Sequence, residues 1–170
     1  IMETKIPGRT GRATLVLEEP WQAESIRDEF ELFAYLAGPE GTFAPNLIVT
    51  VNPFDGTIDE FLDRAVHGLT TTLQKPYLFD VRIWDKEQSL DDDSVPSVDD
   101  LDVLSMGRTI AYTHESTQTR ATLRSAEWLF IDSGLAIQVT GTTTTAQWPI
   151  FEPTLGTMAR SVSTSTEGAS

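Results

Sequence analysis

Apolar and polar positions alternate along much of this chain, and in two places the alternation gives way to a three- and four-residue rhythm. The densest information lies between Thr42 and Leu73. Leu47-Ile48-Val49-Thr50-Val51 is a short run rich in β-branched residues, entered from Ala44-Pro45-Asn46, and it reads as a strand. Asn52-Pro53-Phe54-Asp55-Gly56 breaks it with turn residues. Thr57 and Glu60 have capping-box spacing, which satisfies free amides at a helix start. Ile58, Phe61, Leu62, Ala65, Val66, Leu69 and Leu73 then form one apolar stripe, with Asp59, Asp63 and Arg64 on the other side. The pattern predicts a helix lying on a sheet.

The flanking segments supply the sheet. Arg12 to Glu18 alternates as a first strand, with Ala13, Leu15 and Leu17 on one face, and Glu19-Pro20-Trp21-Gln22 ends it. Glu29 to Ala37 reads as a second strand. The stretch from Glu24 to Leu36 has no breaker and would also suit a helix, but Gly38-Pro39-Glu40-Gly41 makes a hairpin into the central strand. Beyond the helix, Tyr77, Phe79, Val81 and Ile83 alternate with Leu78, Asp80, Arg82 and Trp84. Leu104 to Thr113, Thr119 to Asp132 and Leu135 to Thr143 follow as strands, the last two joined by the tight turn Asp132-Ser133-Gly134. Gly107 and Gly141 read as bulge positions within them. Trp148 to Val162 is a second helix, apolar at Phe151, Leu155, Met158, Ala159 and Val162, with Pro149 and Pro153 placing its regular part from about Pro153 onward.

The expected order is therefore βββαββββα: an α+β fold with an antiparallel sheet of about six to seven strands and two main helices covering one of its faces. Residues 1–12 are expected as a flexible N-terminal arm, 13–162 as a single domain and 163–170 as a disordered tail.

Composition narrows the function. The net charge of -14, with no basic cluster, argues against nucleic acid or an anionic membrane surface as partner. Half of that charge sits in Asp85 to Asp102, which holds eight acidic residues and one Lys. Its consecutive Asp91-Asp92-Asp93 lacks the alternate spacing and glycine of an EF-hand loop, so it is read as a solvated loop; a weak cation site or a contact for a basic partner is the other reading. Without cysteine there is no disulfide, thiolate catalysis or thiolate metal site. His67 and His114 stand apart, so no metal centre and no cofactor are expected. No run approaches a membrane span and no signal-peptide pattern appears, which gives a cytoplasmic address for the chain as it stands. The alternative is an exported or cell-envelope protein whose signal or anchor has been removed.

Phe43, Pro45, Asn46, Leu47 and Val49 ahead of Thr57, Glu60 and Phe61, then Glu127-Trp128-Leu129-Phe130, Asp132-Ser133-Gly134 and Phe151-Glu152-Pro153, together resemble the Mog1/PsbP-like superfamily. Within it the chain looks like the actinobacterial LpqN/LpqT lipoprotein group and the bacterial DcrB/Eag-like proteins, across about Ala13 to Val162. The lipoprotein group carries an N-terminal lipid-anchored cysteine that this chain lacks. The resemblance implies a non-enzymatic protein, since members are photosystem accessory subunits, a Ran-binding import factor and secretion chaperones. It implies no catalytic residues.

The residues themselves nominate a binding face. If Phe79, Val81 and Ile83 turn toward the helices, Arg82 and Trp84 turn away; a neighbouring strand adds Arg124 and Trp128, and the second strand adds Phe33 and Tyr35. Aromatic rings beside arginine suit a protein-binding surface. The expected function is an accessory or chaperone-like protein, secretion- or envelope-associated, holding a polypeptide on that open face. A homodimer using the face, a lipid or glycolipid ligand, and a hydrolase built on two carboxylates stay open as alternatives.

Overall fold

A computed structural model describes residues 2–24, 28–87 and 105–164. The elements are β1 (Glu3–Pro7), β2 (Ala13–Glu18), β3 (Gln22–Glu24), β4 (Leu32–Tyr35), β5 (Asn46–Pro53), α1 (Ile58–Thr72), β6 (Gln74–Trp84), β7 (Gly107–Glu115), β8 (Thr122–Asp132), β9 (Leu135–Thr144), α2 (Trp148–Ser161) and β10 (Ser163–Thr164). Most of the acidic stretch, from 88 on, and the tail from 165 on lie outside the described residues.

Seven strands form the main sheet in the order β3-β4-β5-β9-β8-β7-β6, and every pairing in it is antiparallel. The chain is thus α+β, as its pattern predicts. The central hairpin closes through Ser133 and Gly134, both at positive φ (54° and 75°), the left-handed pair that a tight hairpin turn needs. Thr57 caps α1 as its spacing predicts: Glu60 N–H donates to Thr57 Oγ1 at 3.2 Å, and Thr57 N–H donates to Glu60 Oε2 at 3.1 Å.

The helices do not share a face. Ile58, Phe61, Ala65 and Leu69 of α1 pack with Ile110, Tyr112, Leu129 and Ala136. Leu155, Met158 and Ala159 of α2 pack with Trp128, Phe130, Ile137 and Val139. Neighbouring residues of β8 and β9 therefore serve opposite layers, and β8 is buried without interruption from Ser125 to Phe130. The α2 layer is completed by a second sheet, β1-β2-β10, whose Ala13, Leu15 and Leu17 enter the same core. Val16 N–H donates to Ser161 Oγ at 3.0 Å and ties that sheet to the end of α2.

Three local expectations change. Part of the stretch expected as an arm is β1, paired with β2 along Glu3 to Pro7. Next to it, Thr10 donates through N–H and Oγ1 to the buried Glu31 carboxylate (3.0 and 2.8 Å to Oε1). The helix α2 begins at the buried Trp148, with Pro149 in its first turn and Pro153 inside it, earlier than the prolines imply. Gly107 and Gly141 hold regular pairing positions instead of bulges. Both are sites of close approach. A Cβ on Gly107 would lie 2.6 Å from the Leu129 carbonyl oxygen, and one on Gly141 would lie 3.2 Å from both Leu155 and Trp128.

Candidate functional site

The strand alternation that groups Arg82, Trp84, Arg124 and Trp128 holds, since all four lie on the α2 side of the main sheet. The face is not open where the tryptophans stand. Trp84 is 5% exposed and Trp128 8%, both inside the α2 core. The Trp84 ring meets Phe130 at 6.0 Å, with the Arg160 guanidinium 5.6 Å away on its own side. Sequence reasoning put the helices on one face, which would have left these rings in solvent; a helix on each face covers them.

The Arg124 guanidinium is stacked between Phe79 (4.1 Å) and Trp148 (4.8 Å), and burial lowers its pKa, with Glu152 and Asp80 pulling the other way. Arg82 is exposed and paired with Asp80 at 2.7 Å. Phe33 and Tyr35 stack on each other at 5.8 Å but lie on the α1 side, away from the other four. The Tyr35 hydroxyl is 2.8 Å from Glu24, a bond that raises its pKa.

What is exposed is a row of apolar side chains along β6, on both of its faces. Tyr77 (66%), Phe79 (41%), Val81 (46%) and Ile83 (50%) all face solvent. β6 is the last strand of its sheet, with no partner beyond it among the described residues. Its first half is irregular: Lys75 has φ 47°, and register shifts fall between Gln74 and Tyr77 and between Leu78 and Asp80. From Asp80 to Trp84 the ladder to β7 is regular. Val81 pairs with Ile110 and Ile83 with Arg108, so both point to the α1 side. There α1 packs over β7 and β8 and leaves the edge strand uncovered.

A second feature lies between α1 and the sheet. A cleft of about 340 Å³ is lined by Phe54, Phe61, Arg64, Gly68, Tyr112, Glu127 and Gln138, among others. Glu127 is 5% exposed. Its Oε1 accepts from the Tyr112 hydroxyl at 3.1 Å and from Gln138 Nε2 at 2.9 Å. Its Oε2 is buried with no hydrogen-bond partner among the described residues. Burial pushes the Glu127 pKa up to about 7, while Gln138, Tyr112 and Thr140 pull it back. Burial also drives the Tyr112 hydroxyl pKa upward, with Glu127 adding to it. Sequence reasoning did not single out Glu127 as a buried carboxyl at the cleft. The available signal was an ionisable residue in the strand Thr119 to Asp132, flanked by Ala126, Trp128 and Leu129.

No protein-family model matches the chain, and no curated protein matches it by sequence. Solved structures do match over nearly the whole length. CyanoP, the cyanobacterial PsbP of Synechocystis sp. PCC 6803, aligns with TM-score 0.63 at 11% identity, covering 96% of this chain and 92% of that one. The Ran-binding protein Mog1p of Saccharomyces cerevisiae aligns with TM-score 0.59 at 10% identity, covering 96% and 95%. LpqN of Mycobacterium tuberculosis, involved in cell envelope biogenesis, aligns with TM-score 0.57 at 7% identity, covering 96% and 91%.

The fold is the Mog1/PsbP-like fold. At these identities the likeness concerns architecture alone, and the chemistry must be read from the side chains of this Mog1/PsbP-like chain. Among the described residues Glu127 is the sole carboxylate lining the α1 cleft, so they bring no pair of carboxylates together there. His114 Nε2 lies 3.2 Å from Ser125 Oγ, but Ser125 is fully buried and its hydroxyl is engaged with Thr142 at 2.8 Å. That pair cannot present a nucleophile to a substrate. Burial lowers the His114 pKa. Among the described residues no three His, Asp or Glu gather as metal ligands, and no helix is long and apolar enough to cross a membrane.

Proposed function

We propose that this protein is a non-catalytic binding or accessory protein that captures an extended polypeptide segment along β6. The observation that carries the reading is the β6 edge, unpaired among the described residues, with Val81 and Ile83 half exposed beside a regular hydrogen-bonding stretch. An added strand would pair with the backbone groups from Asp80 to Trp84 that face away from β7 and bury alternate apolar side chains, the two elements of β-augmentation. The site is thus the edge of the sheet, in place of the open face expected around Trp84 and Trp128.

Charge decides between occupants. A second copy of the chain brings another net charge of -14 to the contact, so self-pairing works against electrostatic repulsion. The occupant is a different polypeptide, neutral or basic, with apolar residues at alternate positions. The Mog1/PsbP-like neighbours include a protein described as Ran-binding, which is consistent with a protein partner for this fold.

The test is selection from a displayed random-peptide library on wild type and on Val81→Lys/Ile83→Lys. The expected result is wild-type enrichment of alternating apolar peptides without acidic clusters, absent from the variant, with β6 amides gaining exchange protection in the complex. Equal enrichment by the variant would remove the edge from consideration.

A further inference from the structure

The β6 edge carries more than a row of apolar side chains. From Asp80 to Trp84 its two faces differ in chemistry. Val81 and Ile83 stand on the α1 side, while Asp80 and Arg82 stand side by side on the α2 side, paired with each other at 2.7 Å. Their neighbours across the ladder in β7 are Ala111 and Thr109, so neither charge has a charged residue opposite it within the sheet. Behind the strand, the Asp80 charge also reaches the Arg124 guanidinium of β8. Arg82 is the more exposed of the pair, with 75% of its side chain accessible against 36% for Asp80.

A strand laid on this edge meets both faces at once. A strand apolar on both would strip water from the ion pair and give nothing back, which is how charged residues guard an edge. A strand with opposite charges directly across gains from each pair, and one with like charges loses by a similar amount.

Resting on the reading that β6 captures a polypeptide, we propose that the Asp80–Arg82 pair selects the occupant. It is a two-faced strand that adds antiparallel, with apolar residues beside Val81 and Ile83, a carboxylate across from Arg82 and a Lys or Arg across from Asp80. Antiparallel addition is the more stable pairing per residue and continues the pattern of the sheet. The occupant runs from Ile83 back to Asp80, so from its N-terminus it reads apolar, acidic, apolar, basic. Such a segment is neutral and does not add to the charge of an acidic host.

Two hexapeptides of one composition make the test, Thr-Val-Glu-Val-Lys-Thr and its charge-exchanged form Thr-Val-Lys-Val-Glu-Thr. General attraction by the acidic chain is the same for both. Laid parallel to restore its charge pairs, the second would put threonine beside Ile83 and lose an apolar contact. In NMR titrations of wild type at low salt, the first should bind at least about threefold more tightly. Added salt should narrow the gap. A spin label on its N-terminus should broaden the Trp84 amide before that of Asp80, and the reverse order would overturn the antiparallel direction. Arg82→Glu, at an exposed position, should abolish the preference, and Asp80→Lys/Arg82→Glu should invert it. An unchanged preference in Arg82→Glu would overturn the proposal. Equal binding of both peptides by wild type, lost on Val81→Lys/Ile83→Lys, would keep edge capture and overturn the charge selection alone. Binding of neither peptide would remove edge capture, and the selection with it.

Discussion

Replacing Glu127 with Gln in the ligand-free protein isolates one buried ionisation. The wild-type carboxyl has its pKa raised from 4.5 to about 7 by burial, so the folded state holds a proton that the unfolded chain releases at lower pH. Its contribution to stability is therefore fully present below pH 4.5 and is lost as the pH rises to about 7, after which the loss is complete. Each pH unit across that window costs about 1.4 kcal/mol, so the part of it between pH 5 and 7 amounts to about 3 kcal/mol. Gln keeps the carbonyl oxygen that accepts from Tyr112 and Gln138, and it does not titrate. Thermal unfolding of both proteins from pH 5 to 8.5 should show similar midpoints at pH 5. By pH 8 the variant should be the more stable, by roughly 6–12 °C for a chain of this size. The many other carboxylates titrate alike in both proteins and cancel in the difference. A midpoint difference that stays constant across the range would show Glu127 ionising like an ordinary glutamate, and would refute the burial argument.

Other substitutions probe the frame around the sites. Trp128→Ala should destabilise the fold by about 3–5 kcal/mol in urea unfolding, because it opens a cavity where α2 meets β8, and a near-neutral result would contradict the packing. Thr57→Ala removes one half of the capping box and should cost about 1 kcal/mol, read as faster hydrogen exchange in the first turn of α1. Val81→Lys/Ile83→Lys, by contrast, should leave the urea midpoint within about 0.5 kcal/mol of wild type, since both side chains are half exposed.

Elements whose identity depends on neighbours in sequence were legible before the structure. The capping box of Thr57 and Glu60, the apolar stripe of α1, the Ser133-Gly134 turn and the alternation of β7 to β9 are all local, and each appears as its pattern predicts, whereas the register shifts in β6 put Tyr77 and Phe79 on the other side from Val81 and Ile83. The alternation even grouped Arg82, Trp84, Arg124 and Trp128 correctly on one face. Short or contextual pieces were less legible. β1 and β3, of five and three residues, have too few positions for a period to show, and they exist because β2 and β4 offer free edges.

Which side of a strand meets solvent is a different kind of question, because alternation only divides residues into two sets. The order β5-β9-β8-β7-β6 and the landing of one helix on each face decide which set is covered and how far along the sheet the cover extends. Hence Trp84 and Trp128 are core, while Val81 and Ile83, as apolar as any core strand, are left on an edge that no other described residue covers. The same contingency makes Glu127. Its sequence neighbours say only that it sits in an apolar strand. That its carboxyl should lie beneath α1, with Tyr112 and Gln138 donating to one oxygen, follows from a register of three strands and a helix brought together from distant parts of the chain. Sequence by itself determined the elements and their two-sidedness; tertiary structure alone chose the buried side, because burial depends on what packs against a face and no residue carries that information locally.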